Sequence, residues 1–448
     1  MTTIICDFMG DSYQENIVER LCQLNSKKFS HIISHRIPKK SSPLSNLNFV
    51  DATLLYRHSN ISSAFKDLKS SSISADVANK FSECLYLFLL SMDRTTPISQ
   101  SVNTKQIFFW DLLGYYFSFF KKNKNIDSII FEYAPHMPWD ICLFYVAKYL
   151  GLKVLILRRT GISGYIYIDE DFRPKKTNWQ FPYKKLQNPL NYIFDKKNIL
   201  EELKNLSFTK NQVNGQWPKD FIDKKNFFEI SLDFLRKLGF QNLIFFVRII
   251  LKGPESNIEG ATEHTTQRST LAGIKSLSRW NYLKLHNRYL KKLKNQIKNY
   301  NKLKTSNIDL SIPYVYLALH YQPEASTLPE GMIFSDQLLV VRKLSESLPN
   351  GWTLIVKEHP KQMFYDLRSI HARNLEYYKN ILNNQNVIIV STDLDQEILI
   401  KNCKITATVS GSVGWEGLLH LKPSIQFSEN WLSYCNSSRY VSSKDEIV

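Results

Sequence analysis

The sequence predicts an α/β protein made of two Rossmann-like domains with a cleft between them. The chain has 448 residues, more than one hydrophobic core usually supports, so two domains are expected. In both halves, short apolar runs alternate with amphipathic stretches, a pattern typical of parallel βαβ units. A hydrophobic fraction of 43% is enough to fill two cores.

The first half contains short apolar runs separated by longer amphipathic stretches. β-branched and aromatic residues are frequent in the short runs, which predicts buried strands. The longer stretches place apolar residues three and four positions apart, which predicts helices. The predicted strands are 2–8, 53–58, 127–133 and 153–159, and the predicted helices include 15–24, 76–92 and 111–122.

The second half follows the same alternation more regularly, from Ile312 onward. Each apolar run is followed by an amphipathic stretch, and a doubly wound parallel sheet is expected. The predicted strands are 314–320, 353–359, 387–390, 405–409 and 424–427, and the predicted helices are 335–348, 363–382, 395–402 and one that begins near Val413.

These patterns divide the chain into three segments. We predict a first Rossmann-like domain over 1–240, a basic helical connector over 241–308 and a second Rossmann-like domain over 309–448. No internal repeat is evident, and the segment 171–235 is too rich in Asn, Lys and Pro to assign.

Positive charge is concentrated near the middle of the chain. The net charge is +17, and residues 264–308 contain eleven Lys or Arg and no Asp or Glu. Such a stretch fits a nucleic acid, an anionic membrane surface or an anionic substrate. We favour a helix that lies on the inner membrane surface and expect no nucleic acid, because apolar residues line one helical face and the upstream stretch 241–253 is apolar with embedded cations. A merely solvated basic face is the alternative. The apolar face comprises Leu283, Leu290, Leu293, Ile297 and Tyr300, and the cations beside it are Lys291, Lys292, Lys294 and Lys298.

The cysteines and the N-terminus indicate the compartment. Six cysteines are scattered without a CxxC spacing, which favours a reducing environment and excludes a disulfide framework or a typical zinc site. The N-terminus lacks the basic and apolar regions of a signal peptide, and no apolar run spans a bilayer. We therefore expect a cytoplasmic protein, with a peripheral position on the inner membrane as a further expectation.

Three polar clusters follow predicted strands of the second half. They read HYQPEAST (320–327), KEHP (357–360) and SGSVGWEG (410–417). Because ligands of parallel sheets bind at the carboxyl ends of the strands, we expect the functional residues at His320, at His359 and after Val409.

The third cluster has the pattern of an anion site. Ser410, Gly411 and Ser412 follow a strand and open a helix, so backbone amides, two hydroxyls and the positive helix end can face an anion. Glu416 lies one turn later, where it can accept hydrogen bonds from ribose hydroxyls. The alternative is a structural strand-to-helix turn without a ligand.

The second cluster places a histidine at the mouth of the expected site. Strand alternation puts Lys357 and His359 on one face, with Glu358 between them. Two potential cations beside an anion-binding helix start suggest stabilisation of a phosphate leaving group. A lone histidine, by contrast, is more often a structural residue.

Together, HYQPEASTLPEG, GWTLIVKEHPKQ and VSGSVGWEGLLHLKPSIQFSENWL resemble the capsule-polysaccharide synthesis glycosyltransferases, a group that includes Kdo transferases. The resemblance covers about residues 311–434. The residues also look like the bacterial sialyltransferases, in which a His-Pro motif and a downstream Ser/Thr motif bind CMP. The resemblance implies a GT-B fold, with the nucleotide-sugar in the C-terminal domain and the acceptor on the N-terminal side. A GT-B chain usually continues with helices after the position of Trp431, so a longer natural chain is one expectation.

The resemblance implies roles for the strand-end residues. His359 would meet the CMP phosphate with Lys357 in support, Ser410, Gly411 and Ser412 would bind that phosphate, and Glu416 would face the ribose. Gln322 and Glu324 are further nucleotide-binding candidates. The implied donor is a CMP-activated ulosonic acid (Kdo, or a sialic, legionaminic or pseudaminic type), and the implied acceptor is a surface glycan or glycolipid.

The catalytic base is expected from the first half of the chain. The sialyltransferase pattern of two acidic residues followed by Gly is absent, so the base must be sought elsewhere. Glu132, His136 and Asp140 follow the predicted strand at 127–133, and we rank them in that order. Asp140 can instead cap the following helix. Asp7 and Asp11, after the first strand, are the next candidates.

No cofactor and no metal are expected. The P-loop motif is absent. Asp393 and Asp395 match the DxD metal motif of other transferases, but at the front of a predicted helix they fit a capping role better. A nucleoside monophosphate leaving group carries one phosphate, so protein cations can replace magnesium. The alternative functions are a UDP-sugar-dependent GT-B transferase or epimerase and, in a different class, a basic membrane-surface or nucleic-acid binding protein.

Overall fold

The computed structural model of the chain covers both predicted domains. The long segment 174–277 is outside the described residues, and so are the predicted apolar stretch 241–253 and the boundary predicted at residue 240. Asp7 and Asp11 also lie outside them. The described residues are 2–6, 13–35, 37–66, 68–95, 100–160, 166–173, 278–305, 307–364, 369 and 372–442.

The first domain contains a six-stranded sheet in the order β3-β2-β1-β4-β5-β6. Neighbouring strands are parallel except β6, which is antiparallel to β5. The central strands end in apolar residues that are fully or almost fully buried, as expected for a sheet covered on both faces. The strands are β1 (Thr2–Cys6), β2 (Phe29–Ser34), β3 (Asn48–Asp51), β4 (Ile126–Phe131), β5 (Lys153–Arg159) and β6 (Ile166–Asp169).

The second domain contains a six-stranded sheet in the order β12-β11-β10-β7-β8-β9, and all its neighbours are parallel. Numbered from its own first strand, this sheet has the same order as the first, which is that of Rossmann folds. The predicted fold class, two Rossmann-like domains of the GT-B type, is confirmed. The strands are β7 (Tyr314–Ala318), β8 (Thr353–Lys357), β9 (Val387–Val390), β10 (Ile405–Thr408), β11 (Ser424–Gln426) and β12 (Ser438–Tyr440).

The helices of the first domain pack around an aromatic core. The helix residues Phe109, Tyr116 and Trp139 are fully buried in it, in one core with strand residues such as Ile4 and Ile129. The helices are α1 (Tyr13–Leu24), α2 (Ile61–Ala64), α3 (Ala75–Lys80), α4 (Ser82–Thr95), α5 (Val102–Lys122) and α6 (Pro138–Tyr149).

The basic helix α7 (Arg279–Leu303) packs against the second domain. Tyr300 lies in the core of that domain, and its hydroxyl donates to the carbonyl of Val390 at 2.5 Å. The predicted apolar face is buried except for Ile297, which is partly buried, whereas Lys291, Lys294 and Lys298 are exposed. The other helices of this domain are α8 (Gln337–Ser347), α9 (Leu375–Ile381), α10 (Gln396–Asn402) and α11 (Ser412–Leu419).

Three predicted elements differ from the structure. The predicted strand 53–58 is mostly a 3-10 helix over Ala52–Tyr56, because Asp51 caps its start by accepting a hydrogen bond from the amide of Thr53. The predicted helix 76–92 is interrupted at Phe81. Of the predicted helix 363–382, only α9 is α-helical among the described residues, and Asn374 caps its start.

Among the described residues, no helix has both the length and the apolar character that crossing a bilayer requires.

Candidate functional site

The candidate site lies at the carboxyl edge of the second sheet, beside the strand pair β7 and β10, where the strand order reverses. Ala318 pairs with Lys357 across β7 and β8, and β10 pairs with β7 on the other side. The loops after these three strands therefore leave the sheet side by side. His320, His359 and Ser410 each lie two residues beyond the end of their strand.

His320 joins the loops that follow β7 and β10. Its Nε2 accepts the amide hydrogen of Ser410 at 3.3 Å and lies 2.9 Å from the hydroxyl of Thr408. Its Nδ1 therefore carries the proton and donates to Ser326 Oγ at 3.1 Å. Burial lowers the pKa of His320 to about 3, so the ring is neutral at pH 7. His320 holds the Ser410 turn as a hydrogen-bond acceptor.

A buried ion pair between Glu358 and Arg373 lies behind the site. Arg373 Nε donates to Glu358 Oε2 at 2.7 Å, and the side chains are 1% and 0% exposed. Tyr378 donates its hydroxyl hydrogen to the same carboxylate at 3.0 Å, and the amide of His359 donates to it at 2.9 Å. The buried carboxylate is thus fully hydrogen-bonded, and it fixes the backbone of His359.

Arg373 extends this pair to the neighbouring loop. Its guanidinium donates to the carbonyl of His320 at 3.1 Å and to Gln322 Oε1 at 3.5 Å. It also stacks on the ring of Tyr377, 4.3 Å from the centroid. One guanidinium therefore ties the loop after β7 to the loop after β8.

His359 starts a 3-10 turn, Pro360–Met363, and caps it with its own ring. Nδ1 accepts the amide hydrogen of Lys361 at 3.1 Å, so the proton of the neutral ring is on Nε2. Burial, and then the nearby charges of Lys361, Lys357 and Arg373, lower the pKa of His359 to about 4. At pH 7 the His359 ring is thus neutral and can donate a hydrogen bond, whereas the sequence suggested a positively charged ring.

Lys357 is the last residue of β8 and is almost fully buried. Its ammonium donates to the carbonyl of Leu394 at 2.6 Å. Burial lowers the pKa of Lys357 to about 8, and three neighbouring carboxylates oppose that shift. The strand alternation assumed for Lys357 and His359 stops at Lys357, because His359 already belongs to a turn. The three carboxylates are those of Asp395, Asp393 and Glu416.

The Ser410–Gly411 turn is bound closely to its surroundings. The hydroxyl of Ser410 donates to the carbonyl of Ser326 at 2.6 Å, and the amide of Gly411 donates to Thr408 Oγ1 at 2.9 Å. A Cβ atom at Gly411 would lie only 2.8 Å from that Oγ1 and 3.0 Å from the ring of His320, so glycine is required by the close approach. The Ser410 hydroxyl hydrogen is thus engaged within the protein.

The start of helix α11 presents backbone amides at the same edge. Ser412 and Val413 are its first two residues, and a helix offers no acceptors to the amides of its first turn. The hydroxyl of Ser412 donates to Glu416 Oε1 at 2.8 Å, and Gln396 donates to Glu416 Oε2 at 2.6 Å. The anion-binding capacity of this turn therefore rests on amides and the helix dipole more than on the two hydroxyls.

Gln322 and Glu324 have different surroundings. The side chain of Gln322 donates to the carbonyl of Ser335 at 2.6 Å, and the backbone amide of Gln322 donates to Gln362 Oε1 at 2.9 Å. Glu324 is exposed and accepts a hydrogen bond from Ser326 Oγ at 3.1 Å. Gln322 thus braces the loop, whereas Glu324 stands at the surface.

The base candidates lie at the carboxyl edge of the first sheet, in the other domain. Glu132 follows β4 and is fully buried, and its amide donates to the carbonyl of Cys6 at 3.1 Å. His136 donates from Nδ1 to the carbonyl of Ala134 at 2.8 Å, the usual arrangement of a neutral ring with an accepting Nε2. Both are therefore placed on the loop where a parallel sheet presents reactive groups.

Asp140 has the capping position that was weighed against catalysis. It lies in the first turn of α6, is fully buried, and accepts the amide hydrogen of Met137 at 2.7 Å. A capping carboxylate at this position also complements the helix dipole.

The most important residue that sequence reasoning missed is Arg373. It was part of a predicted helix, and nothing in the neighbouring sequence shows that this arginine is buried. Thr408 and Gln396 were missed for the same reason, since their partners are distant in sequence. One signal was available in the sequence. The apolar run of β8 places Glu358 directly after a buried strand, and a buried carboxylate needs a positively charged or hydrogen-bonding partner nearby.

Within the parts of the chain that the structure describes, no group of three or more His, Cys, Asp or Glu is arranged to hold a metal ion. Asp395 caps α10 by accepting the amide hydrogen of Glu397 at 2.9 Å.

Residues 330–435 match the family described as capsule polysaccharide biosynthesis protein. The resemblance to that family is confirmed over this segment. It contains the KEHP and SGSVGWEG clusters, together with Arg373. No curated protein matches the sequence.

Solved structures with similarity include two transferases of KpsC from Thermosulfurimonas dismutans. The β Kdo 2,7 transferase is 12% identical with a TM-score of 0.24, covering 37% of this chain and 52% of that one. The β Kdo 2,4 transferase is 17% identical with a TM-score of 0.22, covering 37% and 51%. This chain thus spans about half the length of these transferases. A UDP-GlcNAc 2-epimerase from Methanocaldococcus jannaschii is 12% identical with a TM-score of 0.24, covering 100% of this chain and 90% of that one.

The buried ion pair generates the first prediction. Replacing Arg373 by Met leaves the Glu358 carboxylate buried without its counter-charge, and we expect a loss of about 3–5 kcal/mol in the free energy of unfolding. Urea denaturation measures it. The matched control is the double variant Arg373→Met with Glu358→Gln, which removes both charges and should recover part of the loss. Equal stability of the single variant and the unmodified protein would contradict this role.

Proposed function

We propose that the chain is a glycosyltransferase that transfers an ulosonic acid from a CMP-activated donor to a bacterial surface glycan or glycolipid. The single observation that carries the proposal is the convergence of three motifs at one sheet edge, two of which, KEHP and SGSVGWEG, lie inside the segment that matches the capsule polysaccharide family. Parallel sheets bind nucleotides at such an edge, beside the strands where the order reverses. No metal or other cofactor is included in the proposal.

The donor phosphate would bind between His359 and the start of α11. The His359 ring offers an N–H from Nε2, and the first amides of α11 offer two more donors together with the helix dipole. Lys357 supplies a positive charge behind them. Glu416, held by Ser412 and Gln396, would face the ribose.

The reaction would be a substitution at the anomeric carbon of the donor. The acceptor hydroxyl oxygen attacks that carbon and loses its proton to a base. The bond between the anomeric carbon and the phosphate oxygen breaks, and its electron pair stays on the phosphate as CMP leaves. Hydrogen bonds and nearby positive charge stabilise that leaving group, and no metal is needed for a single phosphate. His359 donates a hydrogen bond from Nε2 to the phosphate and so stabilises the negative charge that develops there.

The base would come from the first domain, where the acceptor binds. Glu132 is ranked first, His136 second and Asp140 third. Because Glu132 is fully buried, its service as the base requires the loop after β4 to open toward the incoming hydroxyl. The capping bond of Asp140 makes it the least available of the three.

Helix α7 supports the proposed contact with the cytoplasmic face of the inner membrane. Its exposed side carries cations along its length and no Asp or Glu, and Trp280 at its start is 69% exposed. A helix with a basic face and an interfacial tryptophan is suited to anionic lipid headgroups. The exposed cations include Lys284, Arg288, Lys291, Lys294 and Lys298.

The donor and His359 are tested together. The protein is incubated with CMP-Kdo, CMP-sialic acid and UDP-GlcNAc in the presence of glycan acceptors, and nucleotide release is measured. We expect nucleotide release from a CMP-sugar and none from UDP-GlcNAc. His359→Ala should reduce the rate of CMP release by about 10² or more, because one charge-stabilising or acid group is lost. His420→Ala is the matched control and should keep full turnover. Turnover of only the UDP-sugar would instead favour the UDP-dependent transferase or epimerase.

The base is tested by Glu132→Gln, with Asp140→Asn as its counterpart in the same region. Glu132→Gln should lower transfer by about 10²–10⁴ while CMP affinity is unchanged, since the base lies outside the nucleotide site. Asp140→Asn keeps an acceptor oxygen for the Met137 amide and loses only the negative charge at the helix start, so it should cost about 0.3–1 kcal/mol of stability and should retain transfer. Normal transfer by Glu132→Gln would move the assignment to His136 and then to Asp140, and normal transfer by all three variants would move it to Asp7 or Asp11.

Membrane contact is tested by cosedimentation with anionic vesicles. Reversal of Lys291, Lys294 and Lys298 to Glu should weaken vesicle binding by about 10²-fold or more, at roughly 1 kcal/mol per cation near an anionic surface. CMP release with soluble acceptors should persist. The matched control reverses the exposed Lys121, Lys122 and Lys124 of the first domain and should bind vesicles normally. Equal binding by both variants would contradict a specific role for α7.

A further inference from the structure

The loop between β7 and α8 connects the candidate donor site with the first domain. We call residues 320–331 the strap. Its first part is held at the donor site, because Ser410 Oγ donates to the carbonyl of Ser326 and His320 Nδ1 donates to Ser326 Oγ. The turn that would bind the donor phosphate is thus bonded directly to the strap.

The middle of the strap is a compact turn. The amide of Leu328 donates to the carbonyl of Glu324 at 3.0 Å, and the amide of Gly331 donates to the carbonyl of Thr327 at 2.9 Å. A Cβ atom at Gly331 would lie 2.6 Å from that carbonyl oxygen, so the turn closes tightly there. These bonds and the close approach hold the middle of the strap in one compact shape.

The second part of the strap packs against the first domain. Leu328 is 6% exposed and belongs to the hydrophobic core of that domain. Ala134 and Met137 belong to the same core, and they lie on the loop that carries Glu132 and His136. The strap thus reaches the region that would supply the base.

An ion pair fixes the same contact. Arg158, the penultimate residue of β5, lies 3.1 Å from Glu330 Oε2 on the strap and 3.1 Å from Asp169 Oδ2 in its own domain. The side chains of Arg158 and Glu330 are 6% and 18% exposed. Ser428 Oγ donates to the carbonyl of Glu330 at 2.8 Å, which holds the strap to the second domain.

The two carboxylates make this contact reversible. If Glu330 moved away, Arg158 would keep Asp169, so no buried charge would be left unpaired. A permanent interface would be stabilised at least as well by apolar residues of similar size. An arginine shared between the domains instead favours a contact that can form when the donor site is occupied and break when it is empty.

From this geometry we infer that Arg158 and Glu330 are positioning residues that couple donor binding in the second domain to the acceptor side of the first. The inference rests on the proposed function. Donor binding at the Ser410 turn orders the strap, and the strap aligns the loop after β4 with the donor. Without the Arg158–Glu330 pair, the donor still binds, but water attacks it in place of the acceptor, giving free ulosonic acid and CMP.

The coupling is tested with Glu330→Gln, Glu330→Asp and the matched control Asp169→Asn, which removes the other carboxylate from the same arginine. Hydrogen exchange is measured with and without CMP. In the unmodified protein and in Asp169→Asn, CMP should slow exchange in residues 405–420 and also in strands β5 and β6. In Glu330→Gln it should slow exchange in 405–420 only.

A second readout is the ratio of transfer to donor hydrolysis. Glu330→Gln should lower this ratio about tenfold while CMP affinity is unchanged, because a small misplacement of the acceptor relative to the donor slows transfer on this scale. Glu330→Asp, which keeps the charge, should recover part of it. Suppose that CMP slows exchange in residues 405–420. The coupling is then overturned if Glu330→Gln keeps both the slowed exchange of β5 and the normal ratio of transfer to hydrolysis. It is also overturned if Asp169→Asn loses these two properties to the same extent as Glu330→Gln. If CMP protects no part of the protein, the proposed CMP-dependent function fails and the coupling fails with it.

Discussion

The buried pair of Glu358 and Arg373 is the constraint on which the candidate site depends. Two charges removed from water are tolerated only when each is fully hydrogen-bonded, so the positions of both side chains are narrowly determined. The carboxylate accepts from the amide of His359, and the guanidinium donates to the carbonyl of His320. His320 in turn accepts from the amide of Ser410. Three strand-end loops therefore share one rigid network, and a ligand at this edge meets preorganised donors.

This network also determines the protonation of the site. Burial is the main cause that lowers the pKa of both His320 and His359, and nearby positive charge, including that of Arg373, adds to it. Two neutral rings can stand close together where two imidazolium ions would repel. His320 uses its neutral state to accept hydrogen bonds within the protein, whereas His359 keeps an N–H on Nε2. The negative charge of a bound phosphate raises the pKa of His359, and protonation of the ring would replace the hydrogen bond that Nδ1 accepts from the amide of Lys361.

The sequence predicted the repeating architecture well, and the long-range contacts poorly. Strands such as 153–159 were placed correctly because a continuous apolar run has few other solutions. The turn at Ala52–Tyr56 was missed, because capping by Asp51 overrides an apolar pattern. The strand-end positions of His320, His359 and Ser410 followed from alternation of elements alone. Arg373 could not be found this way, since its partners Glu358 and His320 are 15 and 53 residues away.

The most direct test of the central claim is the NMR spectrum of the histidine imidazoles during titration with CMP. The chain has 10 histidines, and the His359→Ala variant assigns the relevant ring. Phosphate binding between His359 and the start of α11 predicts a large shift of the His359 Nε2–H resonance and a raised pKa for that ring. The resonances of His320 should stay those of a neutral ring. Saturable CMP binding that leaves His359 unchanged would contradict the account.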